Sequence, residues 1–122
     1  MMRALLAMLF SILTACSPIF DDSDCSDTLV SAITSADGNL VANTIRRDCG
    51  ATTAFSNIVF LKKSADAKGT DGKWGEKVYV LQGEANVTVE WSGRNLKIKA
   101  PPSGKDVFLK RDDWAGIKIT YE

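Results

Sequence analysis

The stretch Val87-Thr88-Val89-Glu90-Trp91-Ser92-Gly93-Arg94-Asn95-Leu96-Lys97-Ile98-Lys99 alternates apolar and polar residues on either side of a Ser-Gly pair. Val87, Val89 and Trp91 fall on one face and Thr88 and Glu90 on the other. Past the turn, Leu96 and Ile98 alternate with Lys97 and Lys99. A period of two is that of a strand, and one apolar face with one wet face predicts an antiparallel hairpin. Glu90 is placed to pair with the lysines across the wet face, a contribution on the order of a few tenths of a kcal/mol.

Working outward, the same kind of segment recurs. Leu29 to Ile33 runs into Ser35-Ala36-Asp37-Gly38, where Asp-Gly is a strong turn signal, and Leu40 to Ile45 makes the return strand up to Asp48. Thr53 to Lys62 is the next strand. Its centre, Ile58-Val59-Phe60-Leu61, is apolar on both faces, which predicts a central place in a sheet. Ser64 to Glu76 is polar and holds Gly69, Gly72 and Gly75, without the spacing or the Lys-Ser/Thr ending of a phosphate-binding loop. It reads as a long hairpin connection, with Trp74 folding back on the sheet. Val78 to Leu81 follows. Pro101-Pro102-Ser103-Gly104 breaks the run after Lys99, and Val107 to Lys110 and Ile117 to Tyr121 close the chain, linked by Arg111 to Gly116. The expected fold is mainly β: a single antiparallel meander sheet or a small β-sandwich of about seven or eight short strands. The Ser-x-Asp-Gly turn also occurs in propeller blades, but a propeller needs several blades of about 40 residues, more than 122 residues can supply.

Composition narrows function. The 15 basic and 15 acidic residues balance, so no nucleic-acid partner is expected. There is no histidine, which removes the commonest general base and the commonest metal ligand together. The acidic run Asp21, Asp22, Asp24 and Asp27 lacks the spacing of a calcium loop and reads as solvated linker.

Residues 1–15 read as a secretory signal peptide. Arg3 supplies the positive start, and Ala4 to Leu13 is apolar apart from Ser11, too short to stay as a membrane span and without the polar face of a core helix. Leu13-Thr14-Ala15-Cys16 then resembles the lipobox of bacterial lipoproteins, with an aliphatic residue, a small residue and the invariant cysteine. The resemblance implies cleavage before Cys16, lipid attachment (diacylglycerol, with palmitate-like acylation) on Cys16 and a membrane as partner. Ser17, where an aspartate would mark inner-membrane retention, implies the outer membrane, facing the periplasm. The expected organisation is a signal peptide 1–15, an acidic tether 16–28 and a β domain 29–122.

With Cys16 consumed by lipid, Cys25 and Cys49 remain. In an oxidising compartment, and with no histidine to activate Cys49 as a nucleophile, a Cys25–Cys49 disulfide is expected. It would close a loop of about 25 residues, worth about 3 kcal/mol in the chain-entropy view.

Ser35-Ala36-Asp37-Gly38, followed by Asp48-Cys49-Gly50-Ala51-Thr52-Thr53-Ala54-Phe55-Ser56 and by the ending Gly116-Ile117-Lys118-Ile119-Thr120-Tyr121, resembles a family of small uncharacterised bacterial proteins, many of them lipoproteins. Ala36 stands where that family usually has proline. The family implies a domain, not an activity.

Catalysis is not expected, nor is a cofactor or metal. Asp112 and Asp113 are adjacent, so on a strand they point to opposite faces, and no Ser/His, Cys/His or Ser-x-x-Lys set is present. A non-catalytic binding or interaction module in the cell envelope, with an envelope protein as partner, is the expected function; the alternatives are a passive structural component and a hydrolase. The candidate interaction patch is Arg46, Arg47, Asp48, Thr52 and Thr53, which mixes charge with hydroxyls near the bridge. The same segment also reads as purely local structure, with Gly50 at a bulge or turn and Thr52 and Thr53 capping backbone groups.

Overall fold

The computed structural model describes residues 25–50, 55–65, 73–101 and 107–122, which form nine strands and no helix. In chain order these are β1 (Ser26–Thr34), β2 (Leu40–Asp48), β3 (Ser56–Lys63), β4 (Glu76–Gln82), β5 (Thr88–Ser92), β6 (Asn95–Lys99), β7 (Val107–Lys110), β8 (Asp113–Trp114) and β9 (Ile117–Tyr121). They make two sheets, ordered β1-β2-β3-β4-β7 and β5-β6-β9-β8. Of the two expected arrangements, the chain adopts the sandwich.

Side-chain alternation explains the layering. On one face of the larger sheet, Leu40 and Ala42 of β2, Val59 and Leu61 of β3, and Val78, Tyr79 and Leu81 of β4 are buried. They pack on Val87 just before β5, Val89 of β5, Leu96 and Ile98 of β6, and Ile117 and Ile119 of β9. Each fully buried aliphatic side chain contributes about 1.5–3 kcal/mol, so this layer is the main source of stability. β4 places Val78 and Tyr79 on the same side because a bulge interrupts its pairing with β3, between Val59↔Tyr79 and Phe60↔Lys77.

The other face of β3 is buried as well. Ile45, Ile58 and Phe60 form a second cluster, covered by Trp74 and Val80. Trp74 does fold back on the sheet: its carbonyl accepts a hydrogen bond from Asn43 Nδ2 at 2.9 Å. Gly75 makes this approach feasible. Its φ is +114°, and a Cβ there would strike the backbone of Leu61 and the side chain of Lys62.

β1 begins at Ser26, ahead of the boundary expected at Leu29. Ser26-Asp27-Thr28 has no apolar pattern, but Asp27 lies across from Arg47 and pairs with it, and the Cys25–Cys49 disulfide forms just beyond the Ser26↔Asp48 pair. The first part of the expected tether therefore belongs to the sheet. The signal peptide, Cys16 and the tether as far as residue 24 lie outside the described residues, as do Gly69 and Gly72. The β1–β2 turn accounts for the Ser-x-Asp-Gly motif. Ser35 Oγ donates to Asp37 Oδ1 at 2.6 Å, Asn39 N donates to the same oxygen, and Gly38 N donates to Ser35 O at 2.9 Å.

The β5–β6 hairpin has its expected register, Val89↔Ile98 and Trp91↔Leu96, and Glu90 meets Lys99 at 3.8 Å across the exposed face. What alternation did not foretell is the partner on the other side of β6. The chain leaves β6, crosses to the larger sheet as β7, returns through β8 and lays β9 parallel to β6, with Leu96↔Ile119 and Ile98↔Tyr121. The segment read as a link, Arg111 to Gly116, contains β8 and a tight turn with Ala115 and Gly116 both at positive φ. The returning strands are tied to β4 by Glu76, which accepts from Arg111 Nη1 at 2.8 Å and from Trp114 Nε1. Tyr121 packs on Tyr79 and donates its hydroxyl to Arg111 O.

Three outcomes follow from this packing. Replacing Cys25 and Cys49 by serine should lower unfolding free energy by about 2–4 kcal/mol, read as a lower urea midpoint. Gly75→Ala should cost about 1–3 kcal/mol more than Gly83→Ala. Both glycines have φ near the same value, +114° and +113°, but only Gly75 is crowded, so thermal melts of the pair isolate the collision.

The third concerns pH. The Trp114 indole N–H, then Arg111, hold the Glu76 carboxyl below its ordinary value; Arg47 does the same for Asp27, and the Ser35 hydroxyl for Asp37. Carboxyls depressed in the folded state stabilise it above their unfolded pKa, near 4, and that stability is lost as pH falls through their folded values. Tyr121 is pushed up to about 12, chiefly by burial. A raised phenol stabilises the fold below the unfolded pKa of about 10 and loses that contribution between there and the folded value. Melting temperature should therefore be level between about pH 5 and 9 and fall on both sides. Glu76→Gln should shrink the acid fall, and Tyr121→Phe the alkaline one.

Candidate functional site

Successive residues of a strand point to opposite faces, and this divides the candidate patch. Arg47 lies on the outer face with Ile45, where its Nε and Nη2 donate to the two carboxylate oxygens of Asp27 at 2.7 and 3.0 Å. Asp48 Oδ1 accepts the Gly50 amide at 3.0 Å, and Cys49 is in the disulfide. These residues close the end of the β1–β2 pair. Thr52 and Thr53 lie outside the described residues. Arg46 faces inward, between the sheets. Its guanidinium sits over the Phe55 ring, 5.4 Å from the centroid, and its Nε is shielded from water with no hydrogen-bond partner among the described residues.

Arg46 belongs to a groove of about 510 Å³ at the disulfide end of the sandwich. The floor is a row across three strands, Thr28 of β1, Arg46 of β2 and Asn57 of β3, set by the register Thr28↔Arg46↔Asn57. One step deeper is Thr44, which is 1 % exposed and whose Oγ1 has no partner among the described residues. The roof is the β4–β5 connection, with Ala85 and Val87, and Val30 closes the side. Asn57 Nδ2 donates to Gly83 O at 2.8 Å and Gly83 N to Phe55 O, so the roof is pinned to β3. Val30 is the residue bulged out of β1, between Leu29↔Ile45 and Ser31↔Thr44.

Chemically the described lining offers threonine hydroxyls, the amides of Asn57 and Asn86 and one cation, beside Val30, Ala85 and Val87. Among the described residues lining it there is no carboxylate. Buried polar groups are nearly always satisfied by the protein, by ordered water or by a bound molecule, so two buried polar atoms without a partner among the described residues make this groove the candidate site. The volume lies in the usual range for small-ligand sites.

A second hollow, of about 310 Å³, lies at the opposite end of β2, beside the Ser35–Gly38 turn. It holds Asp37, Lys63 and Arg94, but Asp37 is occupied by Ser35 and Asn39, and no unpaired buried side-chain atom faces it.

Of the described residues of the candidate patch, Arg46 reaches the groove and Arg47 and Asp48 do not line it. Thr28, Thr44, Asn57, Ala85 and Val87 were missed. The signal for them is a polar break in the inward-facing series of β2, where Leu40 and Ala42 give way to Thr44 and Arg46. Searches against family models, curated proteins and solved structures find no match to this chain.

Proposed function

We propose that this protein is a lipid-anchored, non-catalytic binding module of a bacterial cell envelope, related to the small lipoprotein family that its Ser35–Ser56 segment resembles. The address rests on the leader and on Leu13-Thr14-Ala15-Cys16; the binding role rests on the groove. The observation that carries the binding role is the pair of buried polar atoms without a partner among the described residues, Thr44 Oγ1 and Arg46 Nε, on two residues that line one groove. A passive envelope component has no use for either, since each carries a desolvation cost of about 1–3 kcal/mol that a methyl group in its place would avoid.

The address is tested by fractionation. The wild-type chain should sediment with membranes after a high-salt wash, and Cys16→Ser should leave it in the soluble fraction, because acyl chains supply the affinity at about 0.8 kcal/mol per buried methylene. Sedimentation of the serine variant with the wild type would overturn the anchor. The binding role is tested on protein extracted mildly from its own membranes. Native mass spectrometry should show a non-covalent passenger lost on denaturation, and a bare acylated chain would favour the passive component.

A further inference from the structure

We propose, resting on the binding-module reading, that the groove takes a small amphipathic carboxylate, its head on Arg46 and Thr44 and its apolar body against Val30, Ala85 and Val87. Three observations select this chemistry. Arg46 brings a positive charge to a wall that has no described carboxylate, so an anion is the missing partner. A guanidinium presents its Nε–H edge in a planar fork, which matches the two oxygens of a carboxylate. Phe55 supports the guanidinium from one side, which restrains that plane, and the buried Nε has no partner among the described residues.

Thr44 supplies the second contact. Its hydroxyl lies on the same inner face of β2 as Arg46, two residues along the strand, and can donate to the carboxylate edge. A single cation in the described lining suits a monoanion better than a phosphate dianion, which is ordinarily met by several cationic or backbone donors. The rest of the described lining is Val30, Ala85 and Val87 with Thr28, Asn86 and Thr88 beside them, so the body of the molecule is short and mainly apolar. Asn57 is already engaged with Gly83 O and acts as a positioning residue for the roof.

Two sources present this chemistry, a free alkyl carboxylate and the C-terminal carboxylate of a peptide with an apolar last residue. The test titrates the intact mature domain, labelled for amide and methyl NMR, with octanoate, octanamide, the tripeptide Ala-Leu-Val and its C-terminal amide. The acids should shift the methyl signals of Thr28, Thr44, Ala85 and Val87, and the amides should bind about tenfold or more weakly. Arg46→Gln should remove that preference for acids, and Arg46→Lys should restore little of it, because an ammonium keeps the charge but not the fork. Thr44→Val, close in shape, should weaken the acids by a smaller factor while raising the melting temperature, as an unpaired buried hydroxyl is removed.

Binding of octanoate alone would name a free acid as the source, and of the tripeptide alone a peptide terminus; either supports the assignment. Equal binding of acids and amides at the groove would overturn the carboxylate and leave the binding module standing. Silence of the groove signals at millimolar concentrations of every probe would overturn the carboxylate as well. The passenger observed by native mass spectrometry would then decide the module independently.

Discussion

β3 is buried on both faces, and the rest of the molecule is arranged to satisfy that requirement. A strand reading Ile58-Val59-Phe60-Leu61 cannot leave either side in water without exposing large apolar area. The inner side is covered by a whole second sheet, for which the chain crosses between layers three times. The outer side is covered far more economically, by one indole and Val80, with Trp74 brought down through a glycine conformation that no other residue adopts readily. Asn43 adds direction: on an otherwise apolar face, its amide fixes where the Trp74 backbone must sit.

The groove is what remains where the inner layer runs out. Along β2 the inward series passes from Leu40 and Ala42 to Thr44 and Arg46, and along β3 from Leu61 and Val59 to Asn57. These polar residues meet across the sheet because the register is set by the apolar ones at the other end. The smaller sheet does not follow them with strand; a loop, Gly83 to Val87, lies there, pinned by hydrogen bonds at Gly83 and by the packing of Ala85 and Val87 on the core. A core that ended in methyl groups would have closed there. One that ends in a hydroxyl and a guanidinium keeps an opening, and the bulge at Val30 widens its side wall without breaking the β1–β2 ladder.

Alternation and turn chemistry are local, and what they control was legible: the β5–β6 hairpin, the Ser35–Gly38 turn, the central place of β3 and the fold-back of Trp74. What was not legible depends on partners far apart in the chain. The parallel pairing of β6 with β9 leaves no local trace, since Leu96 and Ile98 would read the same beside an antiparallel neighbour. Ser26 to Thr28 carries no apolar period because a salt bridge and a disulfide, not burial, bring it into the sheet. The candidate patch was drawn along the chain, whereas the site is drawn across it. Arg46 and Arg47 are neighbours by number and stand on opposite sides of the sheet, while Arg46 and Asn57 are distant by number and adjacent in space.

The position of the disulfide connects the fold to the proposed anchor. β1 is an edge strand whose strand partner is β2, and its first residues meet the last residues of β2 at the open end of the hairpin. A tether entering there is in the worst place for a strand, because a pull on Ser26 would part the ladder one pair at a time, each step opposed by a single pair of hydrogen bonds. The Cys25–Cys49 bond lies ahead of the first pair. Load arriving through the tether therefore passes across a covalent link into β2, a strand hydrogen-bonded on both sides, before any β1 pair carries it. The same bond closes the strand pair whose register sets Thr28 beside Arg46 in the groove floor. In a domain anchored as proposed, the bridge that resists peeling thus sits at the end of the ladder that builds the groove.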